Sequence, residues 1–262
     1  MTPASPGGMP RYFGTERELF GISHPGSPMQ ARHAVLLCPP LGQDMARSQR
    51  LYRLLAHAIS ARGDAALRFD FHGTGDSAGD SCGISWQRCV SDVRQAADEL
   101  RYASGIDSVI AFGARLGANI ALSAVESARL HGVLAWDPIM DGASHVEAMD
   151  RLQTQLLSDT TRFLRRRHDV NPRDEWVGFP LDNLLRATLQ NVRLESGPSL
   201  KLLIDSMPSA SYPEWLAASA SITRYCHIER PVRWLDLDAQ EDVILAHEVI
   251  DAVLAYLAED GV

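Results

Sequence analysis

Four short apolar runs constrain this chain most. Each is cut off by a turn of Gly, Pro or Asp, and helical patterns separate them. They are Ala34-Val35-Leu36-Leu37-Cys38, 65–71, 108–112 and 132–136, stopped by Pro39-Pro40, by His72-Gly73-Thr74-Gly75-Asp76-Ser77, by 113–117 and by Asp137-Pro138. Ala34–Cys38 and 132–136 carry no polar side chain and do not alternate, which fits strands buried on both faces as in a parallel sheet, while 65–71 is interrupted by Arg68 and Asp70. The stretches between the runs read as helices. In 48–62, Leu51, Leu54, Leu55, Ala58 and Ile59 recur at helical spacing, and 85–101 forms a second helix. Strands alternating with helices give an α/β fold with helices on both faces of a mainly parallel sheet. Residues 1–10 read as a tail, and 11–16 and 18–23 as two opening strands.

After Asp137-Pro138 the alternation breaks. Residues 143–199 read as helices without strands, with a basic run at 162–167. The pattern resumes with a strand at 200–205, a helix near 213–220, a strand within 226–235 and a last helix at 242–257. The expected organisation is a core in two parts, 1–142 and 200–262, interrupted by a helical lid at 143–199. A length of 262 residues suits one large domain or one domain with an insertion. A net charge of -8 argues against nucleic acid as the partner, since phosphate binding needs clustered Lys and Arg. The four cysteines form no metal-type spacing and read as reduced thiols. No segment approaches the ~18 apolar residues of a membrane span, and the N-terminus lacks a signal-type apolar run. A soluble, cytoplasmic protein is expected. No phosphate loop, flavin or nicotinamide fingerprint, or metal cluster is visible, so neither cofactor nor metal is expected.

Ligands of open α/β sheets bind at the carboxyl ends of the strands. Four such ends stand out: Pro39-Pro40-Leu41-Gly42, Phe71-His72-Gly73-Thr74-Gly75-Asp76-Ser77, Gly113-Ala114-Arg115-Leu116-Gly117 and Trp136-Asp137-Pro138. In order and spacing they resemble the α/β-hydrolase fold over residues 11–257. The resemblance is nearest to the small bacterial hydrolase-like proteins that include the exosortase-associated hydrolases. It implies the α/β-hydrolase fold, with a mostly parallel eight-stranded sheet and an inserted lid. It also implies that the backbone N–H groups of Leu41 and Leu116 are oxyanion donors.

The family elbow is Gly-x-Ser-x-Gly on a sharp strand-to-helix turn. Here Arg115 stands where the nucleophile belongs, and a protonated guanidinium cannot attack a carbonyl. The acid candidates are Asp137 and Asp205. The loop 237–242, where the family histidine is expected, contains none. His227 and His247 read as packing or surface residues. Gly79-Asp80-Ser81-Cys82-Gly83 also spells Gly-x-Ser-x-Gly but lies in a loop, and Cys38 has no base arranged beside it.

Two readings of Arg115 stand together: an anion or oxyanion binder at a helix N-terminus, and an internal ion pair with Asp137. Asp44, Arg47 and Arg50 line a polar pocket, or Asp44 or Ser48 caps the following helix. His72 and Asp76 flank a turn whose glycines serve backbone geometry. His145 is a general base or a lid surface residue. The arginine run is a solvated face, or it attracts an anionic substrate or an acyl-carrier partner. The expected function is therefore an enzyme without a serine nucleophile. Its substrate is a small acyl, ester or other anionic carbonyl compound, such as a secondary-metabolite acyl group. Arg115 binds the oxyanion or carboxylate, and Asp137 or His145 moves a proton. The alternative is a non-catalytic ligand-binding or docking module. A homodimer is among the states the sequence admits.

Overall fold

In a computed structural model, residues 8–27, 29, 31–162, 171, 173–207, 211–217 and 224–259 are described. The described strands are β1 (Met9–Phe13), β2 (Leu19–His24), β3 (Ala34–Cys38), β4 (Ala65–Phe69), β5 (Val109–Ala114), β6 (Gly132–Trp136), β7 (Glu175–Trp176), β8 (Phe179–Pro180), β9 (Leu200–Asp205) and β10 (Arg224–His227). Eight of them form one sheet in the order β1-β2-β4-β3-β5-β6-β9-β10. β1 and β2 pair antiparallel, as do β2 and β4, and every other pairing in this sheet is parallel. The first opening strand starts two residues before the expected 11–16, at 9–13, and the second lies one residue after the expected 18–23, at 19–24. Met9 and Pro10 belong to β1 rather than to a tail.

The helices are α1 (Gln43–Ala61), α2 (Trp86–Ser104), α3 (Leu116–Ser123), α4 (Gly142–Ser158), α5 (Asn183–Gln190), α6 (Ser211–Ala217) and α7 (His247–Glu259). They sort onto the sheet by the two-residue period of the strands. In β3, Ala34, Leu36 and Cys38 pack in one core with Val93 and Leu100 of α2 and Ile120 of α3. Val35 and Leu37 face the other core, with Leu51 and Leu55 of α1 and Val249 and Val253 of α7. That double burial is why the strand reads as a continuous apolar run.

α1 begins five residues earlier than expected. Its N-cap is Gly42 at φ 62°, and no side chain caps it. Asp44 lies in the first turn, and the Ser48 hydroxyl donates to the Asp44 carbonyl at 2.7 Å, so neither residue is the cap. The segment between β6 and β9 holds α4, α5 and, contrary to the expectation of helices alone, the two-stranded hairpin β7–β8. Two positions in a strand are too few to leave a periodic signal. Val146, Trp176, Leu181, Leu185 and Leu189 of this segment pack with Leu116 and Ile139 of the core. Of the basic run, 163–167 lie outside the described residues. Arg162 pairs with Asp159 and Glu241, at 3.3 Å and 2.5 Å. Among the described residues, no helix is long and apolar enough to cross a membrane.

Candidate active site

In the strand-to-helix turn after β5, close approach dictates both glycines. A Cβ on Gly113 would lie 2.6 Å from the Ala118 nitrogen. One on Gly117 would lie 2.4 Å from the Pro39 carbonyl oxygen. Between them Arg115 adopts φ 51°, ψ -131°. A side chain held there costs on the order of 1–3 kcal/mol and persists only where the surroundings over-determine it. They do so here. The Arg115 N–H donates to the Trp136 carbonyl at 2.9 Å, and its own carbonyl accepts from Ala118 at 3.0 Å. One residue earlier, the Ala114 N–H donates to the Tyr52 hydroxyl at 2.9 Å, which in turn donates to the Cys38 carbonyl at 2.9 Å. As the first residue of α3, Leu116 has an N–H with no acceptor inside the helix.

The Arg115 side chain is only 4% exposed. Its Nε donates to Asp44 Oδ2 at 3.4 Å and one terminal nitrogen to the Asp137 carbonyl at 3.3 Å. Both contacts exceed the roughly 2.7–2.9 Å of a tight charge-assisted bond. The guanidinium also stacks on Trp234, 5.4 Å from the ring centroid. The expected ion pair with the Asp137 carboxylate is thus replaced. Arg115 takes the backbone oxygen of Asp137 and the carboxylate of Asp44.

Asp137 has turned its carboxylate elsewhere. At φ 44° it directs Oδ1 to the Ser206 N–H at 2.7 Å. Oδ2 accepts from the Ser206 hydroxyl and from the Trp234 indole N–H, the latter at 2.7 Å. Asp137 is fully buried. Burial raises its pKa, and the bonds from Ser206 and Trp234 pull it back. Trp234 comes from the loop after the last strand, and nothing in its sequence context marks it. Arg47 fixes that loop by donating to the carbonyls of Trp234 and Arg233, each at 3.1 Å. Asp205 serves a third network, accepting from the Tyr225 hydroxyl at 2.7 Å with His227 at 3.6 Å. Cys38 is buried, and burial pushes its thiol pKa upward, which leaves it protonated and unreactive.

A cavity of 300 Å³ opens between the turn and the β6–β9 segment. Leu41, Leu116, Asp44 and His145 all line it, together with Thr74 and Ser81. The rest of its wall is largely apolar, from Ile84, Met45, Met149, Trp176, Phe179 and Leu185. His72 does not line it. The His72 ring packs on Gly79, where a Cβ would lie 2.3 Å from Cε1, and its backbone N–H donates to Asp92 at 2.9 Å. His145 is 7% exposed, with its ring edge-on to Trp176 at 5.8 Å, so it is not a surface residue. Burial and then the charge of Arg115 hold its pKa down to about 3, so it is neutral near pH 7. Burial raises the Asp44 pKa, and the charges of Arg115 and Arg47 oppose the rise. Among the described residues, the Asp44 carboxylate accepts a single hydrogen bond, the long one from Arg115.

No protein-family model and no curated protein sequence matches this chain. Solved structures do. The α/β-hydrolase domain-containing protein 10 from mouse superposes with a TM-score of 0.60 at 12% identity, over 96% of this chain and 99% of that one. The chain has the α/β-hydrolase fold. Esterase 2 of Thermogutta terrifontis matches at a TM-score of 0.59 and 14% identity, over 99% and 97% of the two chains. The bottromycin epimerase BotH, solved in complex with bottromycin A2, matches at 0.57 and 18%, over 91% and 94%. Within the hydrolase fold, Arg115 therefore occupies the turn between the central strand and the helix after it. Trp234 occupies the loop that follows the last strand of the sheet.

Proposed function

We propose that this hydrolase-fold chain is an enzyme that acts on a small carbonyl compound without forming an acyl-serine intermediate. The observation that carries the reading is Arg115 itself, held at φ 51° on the turn. A protonated guanidinium there excludes covalent acyl transfer at that position. The turn still brings Leu116, and the PPLG loop still brings Leu41, to the cavity. In this reading the substrate carbonyl rests on the N–H groups of Leu41 and Leu116. Arg115 does not itself line the cavity; its buried cation lies behind Asp44 and Leu116 and acts from there on the charge that develops on the oxygen. The β6–β9 segment acts as the lid and supplies Trp176, Leu181 and Leu185 to the apolar wall. With its carboxylate engaged by Ser206 and Trp234, Asp137 supports the site from beneath and does not carry the proton. That BotH is an epimerase and Thermogutta esterase 2 an esterase is consistent with more than one chemistry on this fold.

The test is a fluorophosphonate probe together with a panel of esters, thioesters and lactones. No covalent labelling of the folded protein is expected, with turnover of a panel member that Arg115→Gln lowers at least a hundredfold. Labelling at Ser81, or turnover indifferent to Arg115, defeats the reading. One observation favours a second reading, a binding protein without catalysis: the indole of Trp234 donates to Asp137 and cannot act as a base. Saturable binding in the cavity with no turnover would establish it.

A further inference from the structure

The cavity contains a carboxylate that, among the described residues, is held by one long ion-pair contact alone. Asp137 and Asp205 are each tied by side-chain and backbone donors, whereas Asp44 lines the cavity with one 3.4 Å contact to Arg115. It sits in the first turn of α1, where the helix N-terminus favours the ionised form. The charged groups around it are Arg115 and Arg47, and His145 on the facing α4 is neutral. We propose that Asp44 is the catalytic base and acid, and that the reaction is enolisation: transfer of a proton from and back to the carbon α to the substrate carbonyl. This rests on the reading above, in which the carbonyl oxygen lies at Leu41 and Leu116.

The step balances without a co-reactant. The Asp44 carboxylate takes the α-proton. The C–H pair becomes the C=C bond of an enolate, and the carbonyl π pair moves onto the oxygen, held by the two N–H groups. While the enolate stands, the proton on Asp44 exchanges with solvent; its return to the same face regenerates the carbonyl with the α-hydrogen exchanged and the configuration at carbon retained. A base in such a site needs a pKa nearer neutrality than an exposed aspartate has, and the burial of Asp44 works in that direction. The apolar wall and the neutral His145 select the substrate class: an uncharged carbonyl compound, an ester or thioester, with an aliphatic or aromatic body. An anionic head would have to compete with Asp44 for Arg115.

The full chain is incubated in D₂O with the N-acetylcysteamine thioesters of (R)-2-phenylpropionate and (R)-2-methyloctanoate. Exchange at C2 is followed by NMR and configuration by chiral chromatography. Exchange at least tenfold above buffer is expected for one of the two. It should fall at least a hundredfold in Asp44→Asn and recover in part in Asp44→Glu. Ligand-induced thermal shift should persist in Asp44→Asn, which separates lost chemistry from lost folding. Appearance of free acid carrying ¹⁸O from labelled water, with no exchange at C2, would overturn enolisation yet leave the proposed non-covalent carbonyl chemistry standing. Exchange unchanged in Asp44→Asn would overturn the assignment of Asp44. No shift and no exchange with either thioester would overturn the substrate class.

Discussion

Asp44 and Asp137 are two carboxylates beside one guanidinium, and they differ in what else holds them. Asp137 is fully buried, accepts from Ser206 twice and from Trp234, and offers Arg115 only its backbone oxygen. Asp44 meets Arg115 with its carboxylate and otherwise faces a cavity. Burial raises the pKa of both. One is therefore a structural anchor whose loss the fold should feel. The other is a group whose loss the fold should tolerate. In this core, position at a strand end does not separate structure from chemistry. The count of hydrogen-bond donors around the side chain does.

The comparison can be broken most forcefully at Asp137. Asp137→Ala strands the Trp234 indole and the Ser206 donors in a dry interior and places alanine at a positive φ. A loss of about 4 kcal/mol in urea unfolding is expected. A loss below about 1 kcal/mol would mean that the anchor is not one. Next in size is the pH dependence of stability. His145 and His24 have folded pKa values lowered to about 3 and about 4, so the unfolded chain takes up protons first as pH falls through about 6.5. Each should remove up to roughly 1.4 kcal/mol per pH unit between about pH 6.5 and its folded value. Asp44 and Asp137, with raised values, do the reverse. Their contribution is complete below the unfolded carboxylate pKa and is lost as pH rises through the folded one. Urea titrations at pH 7, 6 and 5 should show the acid-side loss, with a shallower slope in His145→Gln.

Trp234→Phe keeps the bulk over Arg115 and deletes only the donor to Asp137. It should cost about 2 kcal/mol by the same unfolding measurement. Smallest of all, Asp44→Asn should cost about 1 kcal/mol: the buried guanidinium loses its carboxylate partner but keeps an oxygen acceptor at that position, the Asp137 carbonyl and the face of Trp234. A cost near that of Asp137→Ala would place Asp44 among the anchors and remove the contrast.

Much of the fold was legible in the sequence because burial leaves a local signature. Leu36 and Leu37 are adjacent and both apolar because opposite cores each claim one of them. Gly113 and Gly117 were legible as an elbow because backbone atoms of α3 and the β3 strand end lie where a Cβ would be. The site was legible in part. Leu41, Leu116, Asp44 and His145 do line one cavity, while His72 turns to Gly79 and Asp137 turns inward. Trp234 carried no local signal at all, since its importance lies in an N–H aimed at a residue 97 positions away.

By itself, then, the sequence determined the order of strands and helices, the glycine turn and the residue at its apex. Those depend on period, steric size and neighbours in the chain. Only the tertiary structure decided which carboxylate Arg115 would meet. Strands β6 and β9 lie side by side, and their ends bring Ser206 to Asp137, while α1 returns from β3 with Asp44 toward the turn. A buried carboxylate goes where donors can replace its lost water. Where those donors stand depends on how the strands are ordered in the sheet, which no local stretch of sequence records.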